Sequence, residues 1–390
     1  MTEKLYYQDS HLFAFDAEIL SCEPAENAEG KYAVVLDRTA FFPEGGGQAA
    51  DTGRILDARV LDTQEKDGKI FHYTDTDLSG AVHSTVSCRI DSDQRFRRMQ
   101  NHSGEHIVSG LVHNTYGYEN VGFHMGDSCM TIDFSGELTW EQLAEIETKA
   151  NETVYSNLPI RTYFPSPEEL GSLVYRSKLD LKENVRIVEI EGIDRCACCA
   201  PHVSLTGEIG IIKILSCERH RGGVRVELVC GMDALKDFRL RQESVTEISN
   251  LLSAKRNEVT SAVERLAAER DELKLSRAEI ELQLVEAIAG GFAQTDGNIV
   301  VFKSLSEPAC RELVNRLVPK CGGIAAVFFG SDGAYRYVIG SASVDLRAKA
   351  KEINAAISGR GGGKPEMIMG SCTADEKTVR KALNCVQMDK

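Results

Sequence analysis

Residues 194–203 read DRCACCAPHV, three cysteines and a histidine inside ten positions. Such a cluster serves a metal, a disulfide or a redox couple. The remaining ligands for a metal lie upstream, in NHSGEHIVSG (101–110), where His102 and His106 stand four apart. On a helix that spacing projects both rings from one face. Cys198 and His202 share the same spacing, in a segment that Pro201 makes turn-like. Two helical histidines plus a loop cysteine and histidine form a tetrahedral nitrogen–sulfur set, which suits one Zn²⁺ per chain better than Mg²⁺ or Ca²⁺. Cys196 and Cys199 could take the place of Cys198 or stand by as thiols. His102 to His106 with Glu105 between them also fits the H-x-x-E-H peptidase pattern, with Glu105 as general base. A peptidase gives the cysteine-rich loop no task.

These residues need elements to hold them, and the pattern is that of an α+β multidomain chain. Residues 1–92 carry short β-branched runs (KYAVVLD, GRILDARVLDT, KIFHYT, AVHSTVSCRI) separated by Gly, Asp or Asn, which predicts a small β-barrel. From Asp91 the spacing turns helical: Ser92 or Asp93 as cap, and Phe96, Met99, Ile107, Val108 and Leu111 for the buried face. A second helix is expected after Thr139, and strands follow, so 93–231 reads as the α+β domain that holds the metal. Residues 232–291 predict a helical arm, with Phe238, Val245, Leu252, Val259, Leu266, Leu273 and Ile280 recurring every seventh position and Gly290-Gly291 ending it. The second seam is poorer, so the arm folds back or dimerises only in part; unbroken, it would reach roughly 87 Å. Residues 292–390 alternate strand and helix patterns in a compact α/β domain.

The N-terminus has no basic segment leading into an apolar one, and no run approaches the roughly 18 apolar residues of a membrane span. A cytoplasmic chain is expected, its twelve cysteines mostly thiols. The net charge of −14 is uneven: residues 1–231 hold 22 basic and 37 acidic side chains, whereas 290–390 hold 14 and 10. A polyanion would find its foothold in the C-terminal part.

Four motifs in order carry a resemblance. NHSGEHIVSG and CCAPHV resemble the H-x3-H and C-x3-H elements of the editing domain of alanyl-tRNA synthetase and of the free-standing AlaX-type alanyl-tRNA editing proteins. LDRTAFFPEGGGQAADTG (36–53) resembles that family's N-terminal signature, and GRGGGKPEMIMG (359–370) the glycine-rich segment of the synthetase's C-terminal domain. The chain is thus similar to a long-form AlaX, its barrel beginning near residue 1 with no adenylation module expected ahead of it and ATP binding not expected. It departs from the family in its loop, Cys-Cys-Ala-Pro-His where Cys-Gly-Gly-Thr-His is common, and in the Ser-Gly-Glu between its histidines.

The resemblance implies hydrolysis of the ester joining serine, or glycine, to the 3′ end of alanine tRNA, with zinc as cofactor, mischarged tRNA(Ala) as partner and a homodimer through the arm or C-terminal domain as an option. Discriminating serine from alanine needs a hydrogen-bonding group that alanine leaves unsatisfied. Thr39 is the candidate for that reading, and Gln48 for orienting the ester or water. Glu105 is the candidate for adjusting water activation or substrate orientation. Gly45, Gly46 and Gly47 would let backbone amides approach the terminal adenosine, and Arg360 and Lys364 would meet phosphates. Two other classes compete: a nucleic-acid phosphoesterase, whose upstream Asp-His-His motif this chain lacks, and a non-catalytic tRNA-binding zinc protein.

Overall fold

Alternation of apolar and polar side chains along the first ninety residues closes six strands into a barrel. A computed structural model describes residues 1–25, 31–126, 128–177 and 184–384. The barrel runs in the order Ala14–Pro24, Tyr32–Leu36, Lys69–Thr74, Ala58–Lys66, Gly53–Ile55 and Thr85–Ile90. Its interior is filled by Ile19, Val34, Leu36, Phe41, Ile55, Val60 and Ile90. Gly53 is obligatory at the narrowest strand approach, since a Cβ there would stand 2.1 Å from the Arg89 carbonyl oxygen.

The helix α1 (Ser92–Tyr116) follows directly. Its N-cap is Asp91, one residue before the expected position, and the Asp91 carboxylate is spent on the Thr52 hydroxyl instead of the helix amides. Met99, Ile107, Val108 and Val112 of α1 pack with Ile132, Phe134, Val226 and Leu228 from an antiparallel four-stranded sheet (Ile212–His220, Gly223–Cys230, Met130–Phe134, Asn120–Met125). Gly104 lets α1 settle against the sheet, because a Cβ would come within 2.3 Å of Cys230 Sγ. Helix α2 (Trp140–Tyr155) begins after Thr139, as expected, and opens on a capping box between Thr139 and Gln142. A three-stranded sheet (Ile160–Tyr163, Ile187–Ile190, Asp194–Ala197) delivers the cysteine-rich loop.

The chain groups into two compact units, Met1–Ser244 and Val245–Lys390, so the barrel and residues 93–231 share one unit and the division falls inside the helix Gly231–Leu251. The arm is not one rod. The helix Gly231–Leu251 ends where Ser249 Oγ donates to the Ala254 carbonyl (2.6 Å) and Ser253 takes a left-handed φ of 48°; a second helix runs Val259–Gly290. The heptad signal therefore does not carry through residues 252–258 as one helix. Leu266, Leu273 and Ile280 stay exposed.

In the second unit a five-stranded sheet is ordered Ile299–Phe302, Ala325–Ser331, Ala334–Gly340, Met367–Cys372, Gly359–Lys364. The glycine-rich stretch is therefore an edge strand, not a loop: it pairs from Gly359↔Cys372 to Lys364↔Met367, and one side of its backbone is committed to that ladder. Arg360 and Lys364 are exposed upon it.

Candidate metal centre

Three imidazoles and a thiolate converge. Ligand atoms of His102, His106, Cys198 and His202 all lie within 4.8 Å of one another, and the histidines are almost wholly buried. His102 Nε2 and His202 Nε2 approach Cys198 Sγ at 3.5 and 3.4 Å.

The opposite ring nitrogens settle the tautomers. His106 Nδ1 donates to Asp194 Oδ2 at 2.8 Å, and His102 Nδ1 donates to Gln48 Oε1 at 3.0 Å. His202 Nδ1 meets Ser103 Oγ at 3.0 Å, an oxygen that also accepts the Val203 N–H. The acceptors at Nδ1 of His102 and His106 keep the Nε2 lone pairs of those two rings turned inward, the arrangement that metal-binding histidines require. Asp194 is itself gripped by Arg176, whose Nε and Nη2 donate at 2.7 and 3.0 Å.

The charge balance agrees. Burial alone would raise the Cys198 thiol, but His102, His106 and His202 outweigh it and hold its pKa well below the ordinary value. Burial would depress His106, yet Asp194 and Cys198 hold it well above its usual range, so the anionic surroundings favour a cation at its Nε2, a place that a proton and a metal ion would compete for. His202 is pushed down to about 3 by burial, so it stays neutral. Burial pushes the Cys196 thiol up to about 11. Of the neighbouring cysteines only Cys198 is both placed and ionised as a ligand. Cys196 lies instead within 4.8 Å of His106 and Asp194, where the Arg176 cation already occupies the carboxylate. Cys199 is exposed beside Gly45 and Gly46. The donor set fits a metal ion.

The centre opens on a cavity of about 440 Å³ lined by Tyr7, Gly46, Gly47, Glu105, Asn120, Phe123, Arg176, Arg186, Cys199 and the ligands His102, His106 and Cys198, among others. Glu105 Oε1 accepts from Ser109 Oγ and Asn120 Nδ2, both at 2.5 Å, and Oε2 lies 3.9 Å from His106 Nε2. Gly46 and Gly47 have φ of 61° and 82°, and a Cβ on Gly47 would meet Phe123 at 2.7 Å. They form a tight turn closed by reciprocal Gly45–Gln48 backbone bonds, and that turn delivers the Gln48 side chain to His102. The rest of the motif anchors the turn: Asp51 Oδ2 accepts the Phe42 N–H at 2.7 Å and binds Arg95, which is fully buried and also donates to the Ala40 and Ser10 carbonyls. Gln48 Nε2 is buried without a partner, a donor facing no protein acceptor.

Thr39 is not brought to this cavity. It is fully buried in the barrel, its hydroxyl 2.8 Å from His72 Nε2 and accepting the Phe41 N–H at 3.1 Å. His72 Nδ1 donates to the Val34 carbonyl, so Thr39 supplies the proton to Nε2. That hydroxyl is already committed on both sides. Asp194, Arg176, Ser103, Ser109 and Asn120 escaped the sequence reading. Asp194 opens the cysteine-rich stretch itself, and the need of buried ligand histidines for acceptors was the one signal pointing to it.

Among the described residues no helix is long and apolar enough to cross a membrane. Two family models match the chain: the threonyl and alanyl tRNA synthetase second additional domain at residues 185–227, and tRNA synthetases class II (A) at residues 2–94. The alanyl-tRNA editing protein AlaX-L of Pyrococcus horikoshii is 34% identical over 245 residues, 60% of this chain and 59% of that protein. The alanine–tRNA ligase of Ignicoccus hospitalis is 30% identical over 391 residues, 97% of this chain and 42% of the ligase. That of Halobacterium salinarum is 32% identical over 361 residues, 87% and 38%. The chain spans about half the length of these curated relatives.

Proposed function

This chain is of the AlaX-type alanyl-tRNA editing family, and on that premise we propose that it is a zinc-dependent deacylase that removes serine, or glycine, wrongly esterified to the 3′ end of tRNA(Ala). The observation that carries the reading is the set of three imidazoles, two of them locked by acceptors, and one thiolate at the wall of a cavity large enough for an aminoacyl ester. Zinc is the metal that a tetrahedral N₃S set favours. When bound, it would supply Lewis acidity toward a carbonyl or a water.

The protein's own groups have separable tasks. Asp194 and Gln48 hold the His106 and His102 rings in one tautomer, and Ser103 fixes the orientation of the His202 ring. Gln48 Nε2, a buried donor without a partner, donates to the ester carbonyl as negative charge develops on it. Glu105, anchored through one oxygen by Ser109 and Asn120, orients the substrate's α-ammonium by charge complementarity. Gly46 and Gly47 keep the cavity wall free of side chains where the terminal ribose must pass. The positively balanced C-terminal segment, with Arg360 and Lys364 exposed on its edge strand, contacts tRNA phosphates. The exposed Leu266, Leu273 and Ile280 face is where a homodimer would form, and the reading places the protein in the cytoplasm with its substrate.

The test is direct. Zinc-loaded protein is incubated with tRNA(Ala) charged with serine, glycine or alanine. Release of serine or glycine with alanine spared supports the deacylase. Binding of all three without release makes the chain a non-catalytic tRNA-binding protein.

A further inference from the structure

The barrel carries a second charged feature, away from the metal ligands in sequence and unused by the chemistry above. Arg54 pairs in register with Arg59 on one side and with Arg89 on the other, so three arginines stand abreast across adjacent strands. Each is exposed and lies between two buried neighbours: Gly53 and Ile55, Ala58 and Val60, Cys88 and Ile90. All three side chains therefore leave the same outer face. Like charges directly opposite one another destabilise a sheet. Yet none of the three has a carboxylate partner at ion-pair distance among the described residues. Arg54 donates only to the Asp57 carbonyl.

The surroundings are hollow on both sides. A groove of about 720 Å³ is lined by Thr52, Arg54, Arg59 and Asp91, and a second of about 480 Å³ by Phe15, Asp16, Arg54 and Arg89. Arg54 is the ridge between them. Three acids lie nearby without forming an ion pair to the row: Asp91 accepts the Thr52 hydroxyl, Asp75 accepts the Arg59 backbone N–H and feels the Arg59 charge, and Asp16 lines the second groove. In a unit whose residues 1–231 hold 37 acidic against 22 basic side chains, three arginines abreast without an ion pair are a local concentration of cationic donors.

We infer that Arg54, Arg59 and Arg89 form a phosphate-binding row that holds the RNA backbone of the substrate outside the catalytic cavity. The inference rests on tRNA being the substrate and adds an anchor within the catalytic unit itself. Guanidinium groups suit phosphate by their fork of donors. Asp91, which lines the first groove, immediately precedes α1, and His102 lies ten residues beyond Ser92, about 15 Å along that helix. One rigid element thus joins groove and metal ligands, so RNA held in the groove would present its single-stranded 3′ end at a fixed distance.

The experiment measures binding of uncharged tRNA(Ala) to the full zinc-loaded chain across a salt series, for the parent, for Arg54→Gln/Arg59→Gln/Arg89→Gln, and for the matching triple Arg→Lys. Each lost phosphate contact should reduce the slope of log affinity against log salt by roughly 0.7–0.9. The glutamine triple is expected to bind at least tenfold more weakly at low salt, with its slope smaller by about two to three. The lysine triple is expected to keep most of the slope. Zinc content and melting temperature equal to the parent's confirm that the exposed substitutions leave the fold alone. A glutamine triple with parental slope and affinity overturns the row, as does a parent that binds no tRNA. Serine release is measured separately: a row that binds RNA in a chain that hydrolyses nothing refutes the deacylase and leaves the row standing.

Discussion

Replacing Asp194 by asparagine tests how the metal centre is held. The Asp194 side chain is nearly inaccessible and takes three donors: His106 Nδ1 at 2.8 Å and Arg176 at 2.7 and 3.0 Å. Asparagine offers one carbonyl oxygen where two carboxylate oxygens stood. If that oxygen turns to His106, its NH₂ faces the Arg176 fork, donor against donor. If it turns to Arg176, the NH₂ faces His106 and forces the proton onto Nε2, which then cannot bind a metal. Either outcome should weaken zinc binding by about 10- to 100-fold, which is ~1.4–2.7 kcal/mol. Arg176 would also lose the partner of a largely buried charge, lowering stability by up to a few kcal/mol. Asp194→Asn/Arg176→Met should recover part of that stability but none of the affinity, because His106 still lacks its carboxylate. Zinc affinity is read by competition with a chromophoric chelator, and stability by thermal melting. An Asp194→Asn protein that holds zinc as tightly as the parent refutes the account of the locked tautomer.

Cys198→Ser should lose zinc, while Cys196→Ser and Cys199→Ser retain it; zinc content by atomic emission decides, and loss from Cys199→Ser alone would move the ligand by one position. Gln48→Glu keeps an acceptor for His102 but removes the unpartnered donor, so zinc should remain while kcat falls about 10²-fold with KM little changed; equal kcat would show that Gln48 only orients the ring. Buried His72 stays neutral, its pKa pushed down to about 4 by desolvation from 6.5. The unfolded chain therefore takes up that proton first as pH falls, and stability should drop between pH 6.5 and 4 by ~3 kcal/mol. Denaturation of His72→Gln across that range should show a flatter acid limb, and an unchanged limb would assign the acid sensitivity elsewhere.

The ligand quartet was legible because each pair shares a fixed spacing and metals accept few residue types. Barrel strands and α2 were legible because short β-branched runs between turn residues and a threonine ahead of a helical stretch are local signals. What escaped was set by tertiary contact. Asp194 and Arg176 are eighteen positions apart and meet only when the strand Asp194–Ala197 lies along its neighbours. The x3 spacing to His202 pointed to Cys198, and the three imidazoles around its sulfur separate it from Cys196 and Cys199, which the sequence left open. Thr39 looked like a reader of substrate because it borders the glycine turn, yet His72, thirty-three positions on, claims its hydroxyl. The arm's heptads continue through Leu252 and its poor second seam left a fold-back open; the break falls after Leu251, where Ser249 donates to the Ala254 carbonyl and Ser253 is left-handed.

The central claim, that this quartet makes a zinc-dependent deacylase, is tested most directly by titrating zinc back into chelator-stripped protein while following serine release from Ser-tRNA(Ala). The expected result is activity that is absent without metal, rises in proportion to zinc, and breaks at one ion per chain. Full serine release from the stripped protein, or none from protein that has bound one zinc, would contradict it.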